Sequence, residues 1–410
     1  METSERYDRQ TRIAGWNQKK LDESSIYVIG SERLSDFLLA DLLSLGFGKI
    51  YRVGQSDFFQ FQEINPDVVL DQADEKIITS PEADRIITPE NPQTIVVDCT
   101  NDPVSKFFSS RVSKIKGLKY YSASSSQNSF SFTSLKHEGE LMQYHQETNC
   151  DQGLLNSMIC SAILADEIRK HLMPLKTDLV LPEYEKTMDE PGKLEKKVIQ
   201  IGAGATGTFA GIALTSLGAD VLFVDYDTVE KSNLNRQFLF YNSIGLNKAK
   251  ALAEKTREFG SGKIGFLEKK IGPNFQPKGF DFILSCVDNN DARIYMNEAS
   301  TKSGTPLLNC GSSISGCSAG VYSPGNTACL SCQVGLSEFL EKKNPTKRAA
   351  GDCFNPSLII PNQIAGAFAI KTAYDALKGN YSSWEFQSGL GVEDTAIHHT
   401  CFAGCKNKND

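Results

Sequence analysis

The sequence predicts an α/β protein of two tandem, doubly wound Rossmann-like domains that pair as a pseudo-dimer. Three observations carry this. At 410 residues the chain is too long for one ordinary core. Short β-branched runs ending in glycine alternate with helical patterns, as in a parallel sheet covered on both faces. The order of elements also occurs twice: Ser25–Gly30, a helical pattern closed by Leu45–Gly48 and the strand Lys49–Val53 are echoed by Lys197–Gly202, Ala210–Leu217 with Gly218, and Asp220–Val224.

The copies continue alike. Thr94–Cys99 resembles Phe282–Asp288, and the serine-rich Ser122–Ser131 resembles Asn309–Tyr322. A helix rich in small residues closes each half, Asn156–Leu172 in the first and Pro361–Leu377 in the second. The expected domains are 1–175 and 197–410. Residues 176–196, charged and carrying two prolines, read as a linker.

Composition narrows the function. With 40% hydrophobic and 23% charged residues and no apolar run near the roughly 18–20 residues of a membrane span, an integral membrane protein is excluded. Lys and Arg number 43 against 50 Asp and Glu, and the resulting −7 favours neither nucleic acid nor an anionic membrane as partner. The opening Met-Glu-Thr-Ser-Glu-Arg-Tyr-Asp has no basic segment followed by an apolar one, so no secretory signal and a cytoplasmic location are expected. Eleven unevenly spread cysteines argue for metal ligation or thiol chemistry over a disulfide framework.

The copies differ in chemistry. In the second, the strand runs into Gly202-Ala203-Gly204-Ala205-Thr206-Gly207, a turn that brings backbone close to a phosphate at a helix N-terminus. Asp225 ends the next strand, where an acid takes ribose hydroxyls. In the first copy the same turn reads Gly30-Ser31-Glu32-Arg33-Leu34-Ser35, which loses two glycines and sets Glu32 where a phosphate would sit. After Asp225 come Asp227, Asn233, Arg236 and Gln237, then Lys248 at the start of an amphipathic helix. Guanidinium and amides suit a polyphosphate, whereas a dehydrogenase has no use for them. Asp288 is expected to end a further strand, beside Asn289, and to offer oxygen to a cation.

The stretch Lys196–Arg293 resembles the adenylating domain of the ubiquitin-activating-enzyme superfamily, which includes bacterial activators of sulfur carriers. The resemblance implies ATP and Mg²⁺, with adenylation of the C-terminal glycine of a ubiquitin-like protein ending in Gly-Gly. Residue by residue, it implies that Gly202, Gly204 and Gly207 cradle the phosphates and that Asp225 holds the ribose. It further implies that Asn233, Arg236, Gln237 and Lys248 bind the triphosphate and that Asp288 ligates Mg²⁺, with Asp227 and Asn289 in the same nucleotide-binding set. Tyr7-Asp8-Arg9-Gln10 also matches the family, in which the arginine reaches a neighbouring subunit's ATP; Arg9 is thus implied to serve the second copy.

Cys329-Leu330-Ser331-Cys332 and Cys401-Phe402-Ala403-Gly404-Cys405 supply four thiolates for a structural Zn²⁺, with His398 and His399 as alternative ligands. Cys353, in Ala350–Ser357, precedes an apolar helix whose N-terminus would favour the thiolate, while neighbouring Asp352 opposes it. Its surroundings resemble the catalytic-cysteine region of ubiquitin-fold-modifier-activating enzymes, implying a thioester on Cys353, delivery through a crossover loop at Leu336–Arg348, and a conjugating enzyme or other thiol acceptor downstream. Cys99, Cys160, Cys286, Cys310 and Cys317 read as small core residues. Within the superfamily the alternatives are a peptide-modifying adenylyltransferase and a sulfur-carrier activator without a catalytic cysteine. Outside it, an NAD oxidoreductase leaves Arg236, Asp288 and the cysteine pairs unexplained, and a non-catalytic adaptor would resemble the first copy.

Overall fold

Ser25–Ile29 is buried at every position, so it has no face to turn to water and belongs at the centre of a sheet covered on both sides. The computed structural model, which describes residues 5–56, 58–61, 63–134, 151–334, 355–397, 400, 401 and 405, places it there. Contacts divide the chain into two units. The first comprises Met1–Glu190, Leu358–Ile360 and Ser388–Gly391; the second comprises Pro191–Ser357, Pro361–Gln387 and Val392–Asp410.

The first unit opens with the short helices α1 (Asp8–Thr11) and α2 (Gln18–Asp22). Its sheet holds β1 (Ser25–Ile29), β2 (Lys49–Val53), β3 (Val69–Ala73), β4 (Thr94–Asp98), β5 (Lys119–Ser125), β6 (Ser129–Ser134) and β7 (Glu183–Thr187). The spatial order is β3-β2-β1-β4-β5-β6-β7. The pairs from β3 to β5 are parallel, and the last two pairs are antiparallel. Its other helices are α3 (Arg33–Leu45), α4 (Ser80–Ile86), α5 (Pro103–Ile115) and α6 (Leu154–Leu172).

The second unit repeats this plan. Its strands are β8 (Lys197–Ile201), β9 (Asp220–Asp225), β10 (Ile264–Glu268), β11 (Phe282–Ser285), β12 (Leu307–Ser312), β13 (Gly316–Tyr322), β14 (Ser382–Gln387) and β15 (Gly391–Ala396), in the order β10-β9-β8-β11-β12-β13-β14-β15. β10 through β12 are parallel, and β13 turns back antiparallel. The helices are α7 (Ala205–Ser216), α8 (Lys248–Thr256), α9 (Asn290–Ser303), α10 (Leu330–Gln333) and α11 (Ile359–Leu377). No described helix is long and apolar enough to cross a membrane.

Three local expectations need correction. Residues 176–196 are not plain linker, because Glu-Tyr-Glu-Lys-Thr alternates in exposure and pairs with β6 as the edge strand β7. Asp288 does not end a strand: β11 stops at Ser285, and Asn289 caps α9 by accepting from the Ala292 amide at 2.8 Å, so Asp288 lies on the intervening loop. The closing helix α11 begins at Ile359, before Pro361. That proline stands in the first helical turn, where its missing N–H removes no helix hydrogen bond.

Candidate nucleotide and metal sites

At the end of β8 the Gly202 amide still donates to the Val224 carbonyl at 2.9 Å, and the chain then turns with φ +99°. A Cβ on Gly202 would lie 2.5 Å from the Cys286 carbonyl oxygen, and one on Gly207 would lie 2.3 Å from that of Gly202. These two glycines let backbone pack on backbone. Gly204 differs: it is the N-cap of α7, and a Cβ there would meet nothing within 4 Å among the described residues. It fronts open space at a helix N-terminus, where backbone amides and the helix dipole favour an anion.

Asp225 is buried and locks this turn. Its Oδ2 accepts from the Ala203 amide at 2.6 Å and its Oδ1 from the Asp227 amide at 2.9 Å. Burial pushes its carboxyl above the usual range, and those two amides and Lys248 pull the other way. Asn247 ties the edge together: its amide donates to the carbonyls of Asp225 and Asp227 at 3.0 and 3.1 Å, while its oxygen caps α8 by accepting from the Lys250 amide. Lys248, the first residue of α8, reaches Asp227 at 3.2 Å.

Asn233, Arg236 and Gln237 are all buried on the loop after β9. Asn233 accepts from the Glu230 amide at 3.1 Å, and Arg236 Nη1 donates to the Ser232 carbonyl and to Asn235 Oδ1, both at 2.8 Å, which presets the guanidinium. The carboxamide oxygen of Gln237 is buried without a hydrogen-bond partner among the described residues. An open glycine turn at a helix N-terminus fits a polyphosphate, and the unmet Gln237 acceptor fits a donor such as a nucleotide's ribose hydroxyl or base amino group. Asp288 is exposed and so accessible to a cation.

The first unit shows the same places closed. Glu32, set by the sequence where a phosphate would sit, is the N-cap of α3, and the Leu34 amide is taken by a residue the sequence did not suggest. Gln152 Oε1 accepts from the Leu34 amide at 2.7 Å, and its Nε2 donates to the Cys99 carbonyl at 3.0 Å. Arg33 in turn donates to the Gln152 carbonyl at 2.9 Å. Gln152 lies more than a hundred residues from α3, so no local signal marks it; Asn247, directly before a helical run, was readable as a cap. In the N-terminal motif, Tyr7 accepts from Asn65 and Gln10 donates to Gln18 Oε1 and the Leu45 carbonyl. Both are buried, and Arg9 between them is half-buried.

Cys329, Cys332, Cys401 and Cys405 come together, with one ligand atom from each lying within 4.8 Å of the others. The Cys329 amide donates to Cys401 Sγ at 3.2 Å, and Cys329 and Cys405 Sγ are 3.5 Å apart. Four converging thiols fit a tetrahedral soft-ligand metal ion such as Zn²⁺. Cys353, the segment 336–348, and His398 and His399 lie outside the described residues. Of the cysteines expected in the core, Cys99, Cys160, Cys310 and Cys317 are buried and Cys286 is partly so.

A glycine turn gripped by the acid of the next strand has the form of a nucleotide-binding turn in an α/β fold. Residues 188–385 match the model of the ThiF family. Ubiquitin-like modifier-activating enzyme 5 of Oryza sativa subsp. japonica is 30% identical over 181 residues, covering 39% of this chain and 42% of the relative. Its namesake in Aedes aegypti is 30% identical over 204 residues, covering 44% and 49%. The chain thus spans about half the length of the curated relatives it matches. Among solved structures, E. coli MccB with ATP matches at a TM-score of 0.42 and 18% identity, covering 52% of this chain and 67% of that one.

Proposed function

We propose that the second unit binds ATP with Mg²⁺ and adenylates the C-terminal glycine of a ubiquitin-like protein, releasing pyrophosphate, and that the activated tail then passes to the Cys353 thiolate as a thioester, releasing AMP. The observation that carries the reading is the state of the glycine turn. In the second unit Asp225 holds it and Gly204 leaves it open, whereas in the first Gln152 fills it. The similarity to ubiquitin-like modifier-activating enzyme 5 supports the choice of substrate class.

In this reading the amides at the start of α7 hold phosphate and Asp225 takes the ribose. Arg236 and Lys248 face the charge that grows on the α-phosphate as a carboxylate attacks. The nucleophile is already ionised, so positioning and preset charge do the catalysis and no general base is required. Arg9 is assigned to the same triphosphate by sequence resemblance. Asp288 would hold Mg²⁺, which would supply neutralisation of phosphate charge. Zn²⁺ on the four cysteines would be structural, since a fully thiolate-ligated ion has no open position.

The test is ATP–pyrophosphate exchange with a panel of small proteins ending in Gly-Gly, alongside short peptides. Exchange stimulated by one of the proteins is expected. Stimulation only by a peptide would move the reading to a peptide-modifying adenylyltransferase, and no exchange with any member would overturn it.

A further inference from the structure

In the first unit the end of β4 is closed by its own side chains. The wholly buried Asp98 accepts from the Thr100 amide at 3.0 Å and from the hydroxyls of Ser105 and Ser109 at 2.8 and 2.9 Å. Lys106 donates to Ser122 Oγ at 3.1 Å, the Ala123 carbonyl at 2.6 Å and Ser124 Oγ at 2.8 Å. Every charge there has its partners inside the protein.

Strand register puts Ser285, Arg293 and Asn309 at the same places in the second unit. Asp98 pairs with Ile29 and Ser122, as Ser285 pairs with Ile201 and Asn309. Lys106 and Arg293 each occupy the fourth position of the helix that follows, behind the N-caps Asp102 and Asn289. Here the closure is incomplete: Ser285 Oγ, Arg293 Nε and Asn309 Oδ1 are each buried without a hydrogen-bond partner among the described residues. Ala292 and Met296 replace Ser105 and Ser109, so the hydroxyls that serve Asp98 have no counterpart.

The three groups share one side of the sheet. Ser285 and Asn309 are register neighbours on the face of Ile283 and Leu307, which pack with Ala292 and Met296 of α9. The Arg293 guanidinium lies against Gly311, two residues beyond Asn309, at 3.4 Å from where a Cβ would be. A buried polar group left unmet bears its full desolvation cost. One water accepting from Arg293 Nε and donating to Ser285 Oγ and Asn309 Oδ1 would meet all three, within the two to four partners typical of a buried water. The other end of Arg293 brackets Asp288: Nη2 donates to the Val287 carbonyl at 2.9 Å, and Nη1 reaches Asn290 Oδ1 at 3.5 Å.

We propose that Ser285, Arg293 and Asn309 hold one ordered water, and that Arg293, acting through the Val287 carbonyl, is the positioning residue for the loop that carries Asp288. The water stands on the hydrogen-bond count alone, while the positioning role rests on the reading of Asp288 as the Mg²⁺ ligand.

A crystal structure fine enough to place solvent is expected to show one water within about 3.2 Å of all three atoms. Direct contacts among the three, or no density between them, would overturn the water. For the loop, ATP is titrated against the full chain once with Mg²⁺ and once with EDTA. Arg293→Lys keeps the charge but cannot span both contacts, and it is expected to weaken binding about 10-fold in the Mg²⁺ arm alone, the usual cost of losing a partner behind a metal ligand. Equal loss in both arms, or none, would overturn the positioning role. Should Arg293→Lys fail to fold, Asn290→Ala removes one contact only and is expected to show a smaller loss confined to the Mg²⁺ arm. A wild-type chain that binds no ATP in either arm overturns the functional reading and the loop role together, while the density still decides the water.

Discussion

Gly54 occupies in the first unit the position that Asp225 occupies in the second. Val53 pairs with Ile29 and accepts from the Gly30 amide at 2.9 Å, as Val224 pairs with Ile201 and accepts from Gly202 at 2.9 Å; the next residue is Gly54 in one case and Asp225 in the other. Gly54 has φ +117°, and a Cβ on it would lie 2.7 Å from the Gly30 carbonyl oxygen, so this backbone admits no acid there. The first unit thus lacks the strand-end acid as well as two of the glycines.

Asp225→Asn preserves shape but sets an NH₂ against one of the two amide donors. The expected result is a stability loss of about 1–3 kcal/mol and at least about 10-fold weaker ATP binding. Denaturant unfolding and ATP titration check it, and unchanged affinity would remove Asp225 from the nucleotide site.

Gln152→Ala leaves the Leu34 amide and the Cys99 carbonyl without their side-chain partner. It is expected to cost about 2–4 kcal/mol, the sum of two such losses, in the unfolding of the first unit. ATP affinity is expected to hold. A change in affinity with intact stability would mean that the first unit does bind nucleotide.

Burial lowers the Lys106 ammonium from 10.5 to about 8, against the pull of Asp98. A base whose folded value lies below its unfolded one binds fewer protons when folded, so stability rises with pH between the two values. The stability difference between the wild type and Lys106→Met is therefore expected to shift in favour of the wild type from about pH 8 to 10.5, as read by urea unfolding. A flat difference would show that the three acceptors around Nζ keep it charged.

Asp288→Ala and Arg9→Ala are both expected to cut ATP–pyrophosphate exchange, the arginine by up to about 10³-fold. Cys353→Ala is expected to spare exchange and to abolish a thiol-sensitive conjugate on gels. Exchange that survives loss of Asp288 would refute the metal assignment, and a conjugate that survives loss of Cys353 would point to a different cysteine.

One tightly held zinc per chain is expected by metal analysis. Cys329→Ser or chelation should release it and lower the melting midpoint by several degrees, because metal binding energy is folding energy. A metal-free chain of unchanged midpoint would leave the four cysteines as packing alone.

Much of this was legible in the sequence because the signals are local. A β-branched run ending in glycine, an acid closing the next strand, and paired cysteines each depend on a few neighbouring residues, and the α/β class follows from the alternation of such runs with helical patterns. The misses have physical causes. β7 is an edge strand whose charged residues look like linker until β6 is beside it, and Asp288 left the strand because Asn289 caps a helix one residue on.

The sequence by itself determined that two α/β repeats exist and that the second alone keeps the three-glycine turn and the strand-end acid, because glycine's freedom and a strand's burial are properties of the residues themselves. Only the tertiary structure decided how the first repeat is shut. Gln152 reaching Leu34 and Lys106 settling among serines are contacts between distant segments, and no periodicity along the chain encodes which buried donor will meet which acceptor.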